Sequence, residues 1–76
     1  MRFIDVGYKN FVNADMIVSV TEPKSSPIKR TRMNAEDEGR YLDVTMGKLT
    51  KSIIITKTHV IGSALEPSTI IKRMNE

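Results

Sequence analysis

The residues with the clearest chemical capacity in this 76-residue chain are cationic: Lys29, Arg30 and Arg32, just after Ser25-Ser26-Pro27, and Lys48 and Lys51 around Leu49-Thr50. Ammonium and guanidinium groups bind anions, and an arginine fork can grip two phosphate oxygens at once, so Arg30 and Arg32 rank first. Their setting adds to this capacity. Ser26 suits the N-cap of a helix, and Pro27 suits its first position, where a missing N–H costs nothing. Unpaired amides at such a helix start, beside three cationic side chains, fit a phosphate group. Lys72-Arg73 form a further basic pair near the C-terminus.

The helix that carries these residues is expected to run to about Glu38, with Gly39 as a left-handed terminator. Its charges stand in the reverse of the order that a helix dipole favours. Lys29, Arg30 and Arg32 occupy the first half, and Glu36, Asp37 and Glu38 fill the last turn. Each well-placed charge contributes roughly 0.3 to 1 kcal/mol, so the inversion forgoes stability. An Arg32 to Glu36 pair at i,i+4 recovers part of it. An anionic partner at the helix start would offset the rest.

Catalytic constellations are missing. The only histidine, His59, sits beside a turn, and there are no cysteines. One imidazole without thiolates cannot complete a zinc ligand set within one chain. The three contiguous acids point around the helix and cannot converge as an acid/base pair. The four glycines are too scattered for a phosphate-cradling loop. We expect no enzyme, no catalytic residue, no metal, no cofactor and no small-molecule substrate.

Charge favours a large anionic partner. The net charge is +3, but residues 33–45 hold four acids against Arg40, and the rest of the chain holds eleven bases against five acids, a surplus of +6. Basic surface of this kind attracts polyanions. The four aromatics, Phe3, Tyr8, Phe11 and Tyr41, are scattered, with at least two expected in the core. A stacking platform for single strands is therefore not expected, which favours a duplex. No apolar run approaches the roughly 20 residues that span a bilayer, and no signal-peptide pattern opens the chain. The expectation is a cytoplasmic protein without membrane contact, and the lack of cysteine fits a reducing compartment.

These residues are framed by one α+β domain, 1–76, with a mainly antiparallel sheet, one internal helix and a C-terminal helix. Strands are expected at Arg2–Val6, stopped by Gly7 and a Tyr8-Lys9-Asn10 turn, then briefly at Phe11-Val12, and at Asp15–Thr21 up to Glu22-Pro23. Tyr41–Thr45 alternates, with Leu42 and Val44 on the buried face. Met46–Leu49 reads as a loop. Lys51–Thr56 contains Ile53-Ile54-Ile55, which calls for cover on both faces. The internal helix supplies one cover, and a neighbouring subunit is the candidate for the other. Lys57-Thr58 turns the chain into a strand at His59–Leu65, and a helix follows from Pro67 or Ser68, with Ile70, Ile71 and Met74 along one side. A chain this short buries only about 60% of its unfolded surface, so self-association is expected.

From Ile4 to Ile71 the sequence resembles the RemA family of small bacterial extracellular-matrix regulatory proteins. The likeness lies in Ser26-Pro27-Ile28-Lys29-Arg30, in Leu42-Asp43-Val44-Thr45 followed by Gly47-Lys48 and Thr50-Lys51, and in His59-Val60-Ile61 with Ser63-Ala64 before Pro67. The resemblance implies a transcriptional regulator of biofilm-matrix genes that binds double-stranded DNA as a ring-shaped homo-octamer. Carried onto matching positions, it implies DNA contact by Lys48 and Lys51 in the loop and by Lys29 and Arg30 at the helix start. Two positions depart from the pattern, because relatives commonly carry arginine where this chain has Met16 and Leu49. Those departures favour an alternative, a structural or protein-interaction subunit whose basic residues meet an acidic partner; a binder of structured RNA is a third reading.

Overall fold

Residues 1–76 are all described by the computed structural model. β1 (Phe3–Asp5) and β2 (Phe11–Asn13) form an antiparallel hairpin, a 3₁₀ turn (Ala14–Met16) follows, and β3 (Ile17–Thr21) enters the main sheet. Next come α1 (Ser26–Asp37), β4 (Tyr41–Asp43), β5 (Ser52–Thr56), β6 (Val60–Ser63) and α2 (Pro67–Met74). The four-stranded sheet has the order β3-β5-β6-β4, antiparallel except where β4 runs parallel to β6. This is the expected α+β class, with two helices and six strands.

The isoleucine run explains the layering. Ile53 and Ile54 are fully buried on opposite faces of β5. Ile53 joins Ala35 and Val60, with Ile28 and Tyr41 against them, so α1 covers that face. Ile54 joins Ile4, Val6, Ile61 and Ile70, so the N-terminal hairpin and α2 cover the other. The second cover is therefore intramolecular, and no neighbouring subunit is needed for it. Burying each isoleucine contributes about 1.5 to 3 kcal/mol.

The start of α1 is set one residue earlier than expected. Ser25, extended at φ −69° and ψ 150°, is the N-cap, and its Oγ accepts a hydrogen bond from the Ile28 amide at 3.4 Å. The Ser25 carbonyl also accepts the Lys29 amide at 3.0 Å, the first intrahelical bond, which makes Ser26 helical. Pro27 stands at the second helical position and lacks an N–H, so the cap takes the amide of the third residue, Ile28. At the other end Gly39, at φ 72°, terminates the helix as expected.

Three further expectations are corrected. Leu42 is 47% exposed, because β4 is an edge strand of only three residues and the chain turns at Asp43. There the carboxylate accepts hydrogen bonds from the Thr45 amide (2.9 Å) and hydroxyl (2.7 Å). The turn buries Thr45 and breaks the alternation. Along α2, Ile70 is buried and Met74 packs behind it, but Ile71, one residue and about 100° further round, faces outward. Finally, Phe3, Tyr8 and Phe11 are all more than half exposed, and only Tyr41 is partly buried. The hairpin turns Ile4 and Val12 inward, so strand alternation directs Phe3 and Phe11 outward.

Gly7 to Asn10 form the turn that closes the N-terminal hairpin. The Asn10 amide donates to the Gly7 carbonyl at 3.0 Å, and the central residues Tyr8 and Lys9 have φ of 54° and 64°. This is type I′ geometry, which suits the twist of a two-stranded hairpin and ordinarily carries Asn-Gly. A residue with a Cβ held in this left-handed region costs on the order of 1 kcal/mol. Surrounding bonds hold the turn. The Asn10 side chain donates to the Gly7 carbonyl (2.8 Å), the Gly7 amide donates to Asp5 (2.7 Å), and the Ser63 hydroxyl donates to the Val6 carbonyl (2.7 Å).

Candidate anion-binding end of the sheet

Strand direction decides which loops meet. β3, β4 and β6 run the same way and β5 runs against them, so the C-terminal ends of three strands lie beside the N-terminal end of the fourth. At this end Thr21 pairs with Ile53, Ser52 with Ser63, and Asp43 with Gly62. The segments leaving it are Pro23-Lys24 into α1, the Met46–Leu49 loop, Lys51 ahead of β5, and Leu65-Glu66 into α2. The start of α1, Lys48 and Lys51, widely spaced in sequence, are brought to one end of the molecule. The opposite end holds Met16, Arg40, Lys57 and His59.

An open groove of about 550 Å³ runs along the start of α1, lined by Lys24, Lys29, Arg32 and Glu36, with Pro23, Met33, Leu49 and Thr50. A smaller recess of about 210 Å³ continues from it past Pro23, Lys24, Leu49 and Thr50 to Lys51 and Glu66. Lys29, Arg32 and Lys51 thus border one continuous depression. Lys48 is exposed in the loop beside it, where Met46 and Gly47 (φ 55° and 80°) turn the chain. Arg30 is exposed on α1 but lines neither recess, being rotated about 100° from Lys29. Lys24, which did not stand out in sequence, lines both recesses. Its signal was its place directly before the cap in Pro23-Lys24-Ser25.

The cations differ in how they are held. Arg32 lies 3.7 Å from Glu36, the expected i,i+4 pair, and its guanidinium sits 5.1 Å from the centre of the Tyr41 ring. Such a cation over an aromatic face is fixed in direction. Burial raises the pKa of Tyr41, an effect that the Arg32 charge partly counters. Gly62 makes room for this ring, because a Cβ there would lie 2.0 Å from the Tyr41 hydroxyl. Lys51 approaches Glu66 at 3.9 Å, both largely exposed, a pairing worth little in water. α1 has no acid in its first turn and no base in its last, so the charge inversion stands. Asp43, which organises the turn toward Lys48, is held below the usual carboxylate pKa, chiefly by the Thr45 hydroxyl and then by the Thr45 amide.

His59 is bonded to Thr58 through Nδ1 (2.8 Å) and lines a small recess with Phe11, Met16 and Leu42. No helix is long and apolar enough to cross a membrane.

The model of the family described as RemA-like, extracellular matrix regulatory protein A-like, matches residues 3–74. A protein of Nitratidesulfovibrio vulgaris is 45% identical over 99% of this chain and 88% of its own length. One from Oleidesulfovibrio alaskensis is 47% identical over 95% and 87%, and one from Bacillus cereus is 42% identical over 100% and 75%. All three are provisionally named as regulatory proteins. With matches at this identity along nearly the whole chain, and with the Ser-Pro helix start and the lysine-bearing loop meeting at one end of its sheet, this protein belongs to the RemA-like family.

Proposed function

We propose that this protein is a DNA-binding transcriptional regulator, of biofilm-matrix genes as the family description suggests, gripping duplex DNA through phosphate contacts made by several copies of the chain. The observation that carries this reading is the gathering of Lys24, Lys29, Arg32, Lys48 and Lys51 at one end of the sheet, around a helix whose charges forgo stability. Arg30 extends this cationic surface along the outer side of α1. Phosphate oxygens supply the counter-charge that the inverted helix lacks. Recognition then rests on backbone contacts and DNA shape.

One feature supports self-assembly into a ring. Phe3, Phe11, Val18 and Leu42 are exposed apolar groups away from the cationic groove, available for such contacts.

A gel-shift titration of a duplex against salt tests the proposal. Each phosphate contact contributes a slope of about −0.9 in log affinity against log salt, so binding that is strong at low salt falls steeply. Absence of binding at low salt overturns it. A second reading, a protein-interaction subunit for an acidic partner, is favoured by the apolar lip of the groove, where Leu49 is 77% and Met33 61% exposed. Partner capture with and without nuclease separates the two, because complexes bridged by DNA disappear on digestion.

A further inference from the structure

The Gly7–Asn10 turn is built at a cost that its architecture does not require. Asp5 and Asn10 bond to its backbone and Ser63 to the Val6 carbonyl just before it, whereas the two central positions, where Asn and Gly relieve strain, hold Tyr8 and Lys9. Neither side chain makes an ion pair or a hydrogen bond within the chain to offset the strain. Tyr8 is 51% exposed, and Lys9 is exposed with no acidic partner within ion-pairing distance. Non-glycine residues held in a left-handed conformation by their surroundings cluster at binding and switch sites. Position shows what is presented, and to what. Gly7 lies against Leu65 and Ser63, the segment that leads to Glu66 and, through the Ser52–Ser63 pairing, to Lys51. The tip is therefore at the cationic end.

We propose that this turn is a second DNA-contacting element, in which Lys9 meets a backbone phosphate and Tyr8 lies against the adjoining sugar, its hydroxyl donating to a phosphate oxygen. The inference rests on the duplex-binding reading and widens its footprint from the α1 groove past Lys51 to the N-terminal hairpin. It gives Lys9 a signature that a structural role lacks, since stability and binding move in opposite directions when it is changed.

The test is fluorescence anisotropy of a labelled duplex across a range of KCl concentrations, with melting curves of each protein. Lys9→Gly relieves the left-handed strain and raises Tm by a few degrees, yet lowers affinity several-fold and makes the salt slope shallower by about 0.9 per phosphate lost. Lys9→Gln keeps the strained backbone, leaves Tm unchanged and loses the same slope. Should the unaltered chain bind the duplex while both variants bind with its affinity and slope, the turn contact is overturned and the wider reading stands. Should the unaltered chain fail to bind at low salt, both are overturned.

Discussion

At the scale of single residues, Asp43 shows how a side chain can fix a loop that it does not belong to. Its carboxylate takes both the amide and the hydroxyl of Thr45, and this is what turns the chain out of β4 toward Lys48. The group's pKa is lowered in the folded state, so the stability it contributes is fully present above the unfolded value of about 3.9 and is lost as pH falls through the folded value. Melting measured from pH 6 downward should show Tm falling below about pH 4, and Asp43→Ala should flatten that fall. At neutral pH the same variant should cost about 1 kcal/mol, because the buried Thr45 loses its acceptor. A pH profile identical to that of the unaltered protein would show that the turn does not depend on the charge.

At the scale of elements, α1 is the case in which local stability and function pull apart. Its N-cap, proline and terminal glycine make it well bounded, but its charges oppose its dipole. Lys29→Glu places an acid in the first turn and should raise stability by about 0.3 to 1 kcal/mol in chemical denaturation. The same change puts a carboxylate into the groove shared with Lys24 and Arg32 and should abolish most DNA affinity. A variant that is both more stable and equally good at binding would remove α1 from the interface. Arg32 is expected to be less replaceable by lysine than Lys29 is by arginine, because only a planar guanidinium can lie over Tyr41 while facing Glu36.

At the scale of the whole molecule, 76 residues fold into two small cores, one on each face of the sheet, and leave several large apolar side chains outside. Phe11 and Leu42 line one recess near His59, at the end opposite the cationic groove. If that recess joins copies, light scattering should give a mass several times 8.6 kDa, and Phe11→Glu with Leu42→Glu should return it to a single chain. Loss of assembly should also weaken DNA binding more than any single lysine does, since linked sites gain by effective concentration. A single-chain mass for the unaltered protein would end the ring proposal.

What the sequence determined by itself was local. The serine-proline start and glycine stop of α1, the isoleucine strand that needed two covers, the turn at Tyr8-Lys9-Asn10 and the Arg32–Glu36 pair all depend on residues within a few positions of one another. Caps, alternation and i,i+4 spacing act over that range. Tertiary structure alone decided what is set by distant pairing. β4 joined β6 in parallel, the N-terminal hairpin and α2 took the face of Ile54, and three aromatics were left outside. Strand direction also carried Lys48 and Lys51 to the end of the sheet where α1 starts. Sequence spacing cannot show that meeting, because a sheet brings loops together by the direction of its strands, whatever the number of residues between them.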